Sequence, residues 1–176
     1  MKCIFLLSGD YLDIAKEEVI SLSYVETCVI INKLLIADFK NINNGLLKKL
    51  SKRLALTKNI YSFLFECKLN DLTNLMKKYD WTCVYRNSFC FRAHCLDNNK
   101  KILNKYISEK NLAKYIWHSV KNPKVNLENP DTRIDLFFID EKVYCGLLIK
   151  NIDEDFQLRK AHLRPFSHPS SLHPKL

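Results

Sequence analysis

Glycine is nearly missing from this chain: only Gly9, Gly45 and Gly146 occur among 176 residues, and no two are close in sequence. A dinucleotide fingerprint, a P-loop and a glycine-rich S-adenosylmethionine loop all need clustered glycines, so that backbone N–H groups can approach a phosphate or sugar. All three are excluded. No apolar run approaches the roughly 20 residues of a membrane span, and the stretch 3–7 is too short for the apolar centre of a signal peptide. The seven cysteines are an odd number without CxxC pairs, which argues against a disulfide framework and a zinc ribbon and for reduced, mostly buried thiols. The chain reads as cytoplasmic, with no membrane partner.

What is abundant is positive charge. Lys and Arg exceed Asp and Glu by 28 − 19 = +9, which suits a polyanion as partner. The excess is uneven, at −2 over 1–40, +6 over 41–90, +6 over 91–127, −5 over 128–155 and +4 over 156–176. The middle and the tail are therefore the candidate binding faces. With 47% hydrophobic residues the chain can bury a core, and its length allows one ordinary domain or two small ones.

Residues 3–7 form a short apolar run. Leu12, Ala15, Val19 and Leu22, spaced 3, 4, 3, then mark one face of a helix that Asp10 could cap. Val25–Ile31 and Leu34–Phe39 read as two strands of a hairpin about Asn32-Lys33. Leu47, Leu50 and Leu54 line a second helix, and 60–65 is a last strand. The order βαββαβ is that of a ferredoxin-like unit. Beyond it, Leu72, Leu75, Met76 and Tyr79 predict a short helix, and Phe89–Cys95 alternates as a half-buried strand. Ile102, Leu103, Tyr106 and Ile107 form one helical stripe and Leu112, Ile116 and Val120 another, stopped by Pro123. Residues 133–139 and 142–149 predict a hairpin about Asp140-Glu141. From Phe156 on, three of the five prolines and no acid predict an extended tail.

Cys90, His94 and Cys95 resemble a metal cluster only on paper. On a strand, Cys90, Arg92 and His94 point to one face and Phe89, Phe91, Ala93 and Cys95 to the other, so no metal ligand set is expected. His162, His168 and His173 have no local carboxylate to orient them for nucleophilic catalysis. The basic residues carry the stronger signal. Lys110, Lys114, His118 and Lys121, spaced 4, 4, 3, fall opposite the apolar stripe of their helix, where like charges repel unless an anion joins them. Lys48, Lys49, Lys52 and Arg53 are spread round theirs and read as solvation. In the tail, Arg159, Lys160, Arg164 and Lys175 interleave with Phe156, Phe166 and three histidines, a mixture able to pair phosphates and stack on bases.

Arg159-Lys160 followed by Arg164-Pro165-Phe166-Ser167-His168-Pro169 and Ser171-Leu172-His173-Pro174-Lys175-Leu176 resembles the segment that joins the THUMP domain to the catalytic domain in archaeal tRNA guanosine-10 N2-methyltransferases. Phe5-Leu6-Leu7-Ser8-Gly9 with Ala15-Lys16-Glu17-Glu18-Val19 is similar to their N-terminal ferredoxin-like domain. Asn129-Pro130-Asp131, the strand 133–138 and Tyr144-Cys145-Gly146-Leu147 resemble the end of a THUMP domain. The resemblance implies an α/β (α+β) protein with a ferredoxin-like domain at 1–68, a THUMP domain at 69–155 and a basic connector at 156–176. It implies a module that grips the acceptor end of tRNA by shape and phosphate contacts.

In that family a Rossmann-like methyltransferase domain follows, whereas this sequence stops at Leu176. The expectation is a tRNA-binding part, not an enzyme on its own and binding no cofactor, with S-adenosylmethionine and catalysis supplied by a separate methyltransferase chain. Arg92, Lys114, Lys121, Arg159, Lys160, Arg164 and His168 are the expected RNA-side residues, and Phe166, Leu172 and Pro174 the expected partner-docking ones. Two other readings stand beside it: an RNA-binding adaptor for a thiolation or acetylation system, and an enzyme using a low-pKa cysteine.

Overall fold

A computed structural model describes residues 1–9, 11–97 and 108–152. Asp10, the stripe from Ile102 to Ile107 and the tail 156–176 lie outside the described residues. The chain forms two compact units, one comprising Met1–Ser62 with the described residues from Ile149 on, the other Phe63–Leu148.

The first unit holds β1 (Lys2–Leu7), α1 (Leu12–Leu22), β2 (Val25–Ile31), β3 (Leu34–Phe39), α2 (Asn44–Arg53) and the start of β4 (Thr57–Lys68). Its strands run in the order β2-β3-β1-β4, every pair antiparallel. Alternation along β1 and β3 sends Cys3, Phe5, Leu7, Leu35, Ala37 and Phe39 to one face, where they pack with Ala15 and Val19 of α1 and Leu50 of α2. The hairpin turns at Asn32, whose φ of 55° is a conformation that Asn tolerates better than most residues. Asn43 caps α2, its side chain accepting the Leu46 N–H at 2.8 Å.

The start of α1 differs from expectation. The cap position is Tyr11, at φ 51° and with no side-chain cap hydrogen bond; the helix begins after a left-handed turn, one residue beyond Asp10. Glu18, on α1, instead ties down the loop before β4, accepting the N–H groups of Ala55 at 2.7 Å and Leu56 at 3.0 Å. The core is closed from far along the chain: Ile149 and Ile152 pack into it, and the Ile152 N–H bonds the Lys58 carbonyl at 2.8 Å.

The second unit continues with α3 (Leu72–Lys78), β5 (Phe89–Cys95), a helix at Glu109–Ser119 that we number α4, β6 (Thr132–Ile139) and most of β7 (Lys142–Asn151). Here the strand order is β7-β6-β5. β6 and β7 form the expected antiparallel hairpin, turning at Asp140 with φ 52°. β5 and β6 run parallel, as a connection containing a helix permits. Leu112 and Ile116 of α4 and Leu72 and Met76 of α3 cover the face that carries Phe91 and Leu136. Trp81 is fully buried there and donates its ring N–H to the Met76 carbonyl at 2.9 Å, which satisfies the one polar group of that side chain.

Among the described residues β5 is the last strand in the order. At its start, residues 124–126 lie alongside: the Phe89 N–H bonds the Lys124 carbonyl and the Asn126 N–H bonds the Phe89 carbonyl, at 2.9 and 3.0 Å. Four residues on, the Ala93 N–H is taken by the Glu109 carboxylate at 2.8 Å.

Candidate nucleic-acid interface

Between the outer edge of β5 and the helix α4 lies a groove of about 490 Å³. Phe89, Phe91, Val125, Leu127 and Trp117 supply its apolar surface, and Arg92, Lys110 and Lys114 its positive charge, with Glu109 as the carboxylate among them. Trp117 is 44% exposed and Leu127 59%, large apolar areas left to water on a charged surface. An aromatic plane flanked by cations at side-chain reach is what unpaired nucleic acid binds, the ring stacking on a base and the cations meeting phosphates.

Local sequence explains how the side chains arrive. Leu112 and Ile116 bury one face of α4, so Lys110, Lys114 and Trp117, spaced 4 and 3, are turned toward its side. The Lys114 ammonium also lies 5.4 Å from the centre of the Tyr115 ring, a contact that costs the lysine little of its hydration. Arg92 Nη1 reaches Glu109 Oε2 at 3.5 Å, the other oxygen of Glu109 being the one on the Ala93 N–H.

The structure thus brings Arg92 and Lys114 together. Lys121 is exposed but stands outside the groove and outside the helix: α4 ends at Ser119 and Val120 is already extended, so the expected four-residue basic stripe is cut to its first half. His118 is exposed and is not a groove residue; Trp117, one position earlier, takes the place that the spacing had given it. Arg159, Lys160, Arg164 and His168, with Phe166, Leu172 and Pro174, lie outside the described residues. Trp117, Glu109, Val125 and Leu127 were missed. The spacing of Trp117 from Lys110 and Lys114 could have revealed it, but Val125 and Leu127 reach the groove only through the bridge to Phe89.

A second polar cluster sits on the far face of β5 and β6. Asp135 is fully buried and accepts from Arg133 Nε and Nη2, both at 3.1 Å, and lies 3.2 Å from His94 Nε2. Burial alone would push its carboxyl up; the hydrogen bonds and charges of His94 and Arg133 outweigh burial and hold it below the usual carboxylate range. His94 stacks on Phe137 at 5.3 Å. The cluster is internal ion pairing, and among the described residues no three His, Cys, Asp or Glu side chains are placed to hold a metal.

Four of the cysteines do not favour thiolate chemistry. Burial pushes Cys3 up to about 12 and Cys67 up to about 11, and raises Cys90 and Cys145 as well. Among the described residues no helix is long and apolar enough to cross a membrane.

Residues 66–148 match the family described as THUMP domain. The chain is similar to the tRNA (guanine(10)-N2)-dimethyltransferase of Methanothermobacter thermautotrophicus, at 29% identity over 133 residues, 73% of this chain and 38% of that one. It is also similar to the enzyme of the same name from Pyrococcus abyssi, at 28% identity over 116 residues, 61% of this chain and 32% of that one. The chain therefore spans about a third of the length of these curated relatives. Among solved structures, its fold is shared with TrmN from Thermus thermophilus (TM-score 0.69, 15% identity, 93% of this chain and 50% of that one). It is shared too with a 4-thiouridine synthetase solved as an RNA complex with bound ATP (TM-score 0.57, 16% identity, 83% of this chain and 40% of that one). The unit that carries the basic, Trp117-lined groove coincides almost end to end with the matched segment, and the chain carries a THUMP domain at residues 66–148.

Proposed function

We propose that this chain binds tRNA and positions it for N2-methylation of guanosine 10, the transfer itself being made by a Rossmann-like methyltransferase on a separate chain. The observation that carries the reading is the meeting of Arg92, Lys110, Lys114 and Trp117 in one groove of the unit that matches the THUMP domain. The names of the two curated relatives give it its substrate and its reaction. The glycine-poor sequence, which has no loop to cradle a nucleotide cofactor, leaves S-adenosylmethionine to the partner. The ferredoxin-like domain at 1–68, the THUMP domain at 69–155 and a connector at 156–176 are the parts of this reading. Lys121, Arg159, Lys160, Arg164 and His168 extend the RNA surface beyond the groove, and Phe166, Leu172 and Pro174 dock the methyltransferase.

A +9 chain acts on RNA chiefly through phosphates and counterion release. Titration of tRNA at several salt concentrations should give a steep fall of affinity with salt. Replacing Arg92 and Lys114 together by Ala should lower the slope of log affinity against log salt by about 1.5 to 2, near one unit for each phosphate no longer neutralised. Replacing Lys48 and Lys52 removes the same formal charge and should leave the slope nearly unchanged. Equal effects of the two pairs would reduce the groove to general charge, and no tRNA binding would end the reading. A thiolation adaptor is the second reading, favoured by the fold shared with the 4-thiouridine synthetase. Incubation with the methyltransferase chain and labelled methyl donor separates the two, since only the first predicts label in guanosine.

A further inference from the structure

Among the described residues β2 ends the strand order of the first unit and pairs with β3 alone. The two-residue turn at Asn32-Lys33 makes Ile31 and Leu34 the first pair of that ladder, a pair that exchanges both backbone hydrogen bonds. Such pairs alternate along an antiparallel ladder with pairs that exchange none. Val29 is therefore bonded to Ile36, while Cys28 and Ile30, opposite Ala37 and Leu35, turn their N–H and C=O groups away from β3. The side chains of Cys28 and Ile30 pack against the core. Val29 stands on the other face, 51% exposed.

The two ends of the strand order are kept differently. Residues 124–126 lie alongside the start of β5, and Glu109 takes its Ala93 N–H. β2 has one charged residue, Glu26, which Lys40 engages at 3.8 Å, and a bulge between Val25 and Thr27. From Cys28 to Ile31 it has no charge, no proline and no bulge, the devices that keep a strand edge from pairing with another chain.

We propose that two copies of this chain pair through β2, antiparallel, about a two-fold axis at Val29. In this register outward groups meet outward groups on both copies: Cys28 of each exchanges both hydrogen bonds with Ile30 of the other. The two Val29 residues then face each other in a pair that exchanges none, where the backbones come closest, about 4.5 Å between Cα atoms, and each covers the other's exposed surface. An axis at Cys28 would set Ile30 against Glu26 beside the bulge, and an axis at Ile30 would set Cys28 against Asn32 in the turn. A two-fold makes the strand its own complement. Residues 1–40 carry a net charge of −2, so two copies meet there without the repulsion that the basic middle of the chain would bring. Seven residues a side are few beside the roughly 20–30 of a standard interface, so the dimer is weak and forms as concentration rises.

The test uses the full chain carrying Cys83→Ser, which removes the exposed native thiol. Sedimentation velocity over a concentration series should show the mean mass climbing from monomer toward dimer. Amide exchange gives a signature of the register: in dilute protein Cys28 and Ile30 should exchange quickly and Val29 and Ile31 slowly, and at high concentration the first two should slow. Val29→Cys should form a disulfide-linked dimer under mild oxidation. Thr27→Cys and Ile31→Cys lie on the same face but put the two thiols about 14 Å apart along the strands, beyond disulfide reach, and should not. Val29→Lys sets two ammonium groups face to face and should leave a monomer at every concentration. A chain that stays monomeric throughout, equal cross-linking at all three positions, or a dimer that survives Val29→Lys would overturn the proposal. So would Cys28 and Ile30 amides that are already slow in the dilute monomer, the sign of another segment of the same chain on that edge. None of these measurements involves RNA, so their failure leaves the RNA-binding reading standing.

Discussion

Asp135→Asn is the sharpest probe of the second unit, because a fully buried carboxylate there holds the Arg133 guanidinium and the His94 ring. Arg133 donates to both oxygens at 3.1 Å and His94 lies 3.2 Å from one of them. The substitution changes no shape but turns one acceptor into a donor, so about half of these contacts must break and one N–H pair is left facing another. Hydrogen bonds to charged groups contribute roughly 1.5 to 3 kcal/mol each, and removing one partner of a fully buried pair costs about 3 to 5 kcal/mol. Arg133 and His94 are 30% and 34% exposed along their side chains and recover part of their hydration, which brings the expected loss to about 2 to 3 kcal/mol. Both tryptophans, Trp81 and Trp117, belong to the second unit, so fluorescence in urea follows that unit's unfolding. At a slope of about 1 to 2 kcal/mol per molar the midpoint should fall by about 1 to 3 M at neutral pH.

The pH dependence supplies an independent check with a definite sign. The folded carboxyl is held below its usual range, so it stays ionised to a lower pH than the unfolded one, which takes up its proton at about 4. The stabilisation is therefore fully present above that pH and is lost as pH falls through the lower, folded value. Asn does not titrate, so the gap between the two proteins should close as pH falls below the usual carboxylate range. Equal midpoints at pH 7, or a gap that persists unchanged to pH 2, would refute the reasoning.

Two other outcomes follow from the same coordinates. Glu18→Ala should destabilise the first unit by about 2 to 3 kcal/mol, since it strands the N–H groups of Ala55 and Leu56; hydrogen exchange at those two amides should speed up well ahead of the amides of α3. In the native protein, iodoacetamide should label the exposed Cys83 long before the buried Cys3, Cys90 and Cys145, read by mass spectrometry. Rapid labelling of one buried thiol at neutral pH would revive the cysteine-enzyme reading.

Local pattern was enough for the hairpin and the second helix of the first unit. β2 and β3 begin and end where the sequence predicts, because each is a β-rich run and a short polar turn at Asn32 separates them. α2 was equally plain, with its leucine stripe following an Asn. What eluded the sequence was set by partners distant along the chain. The parallel pairing of β5 with β6 joins Phe89 to Thr132, and no pattern within either strand announces it. Tyr11, at a left-handed backbone angle, takes the cap position of α1, and no side-chain pattern announces that. The candidate site was half legible. Arg92 and Lys114 announced themselves by charge, but the value of Trp117 depends on which side of α4 meets β5, and that of Glu109 on a bond to Ala93, 16 residues back.

The closing of the first core by Ile149 and Ile152 has a consequence for synthesis on the ribosome. When Ser62 has emerged, two of that core's aliphatic side chains are still untranslated, and the whole of residues 63–148 must be made before they appear. At roughly 5 to 20 residues per second the interval from residue 62 to residue 152 lasts about 5 to 18 s. Through that time the nascent first unit carries an apolar seam awaiting its last strand, while the segment made during the wait has every residue needed for its own core as soon as it clears the exit tunnel. Of the two units, the one whose translation starts earlier is thus completed later.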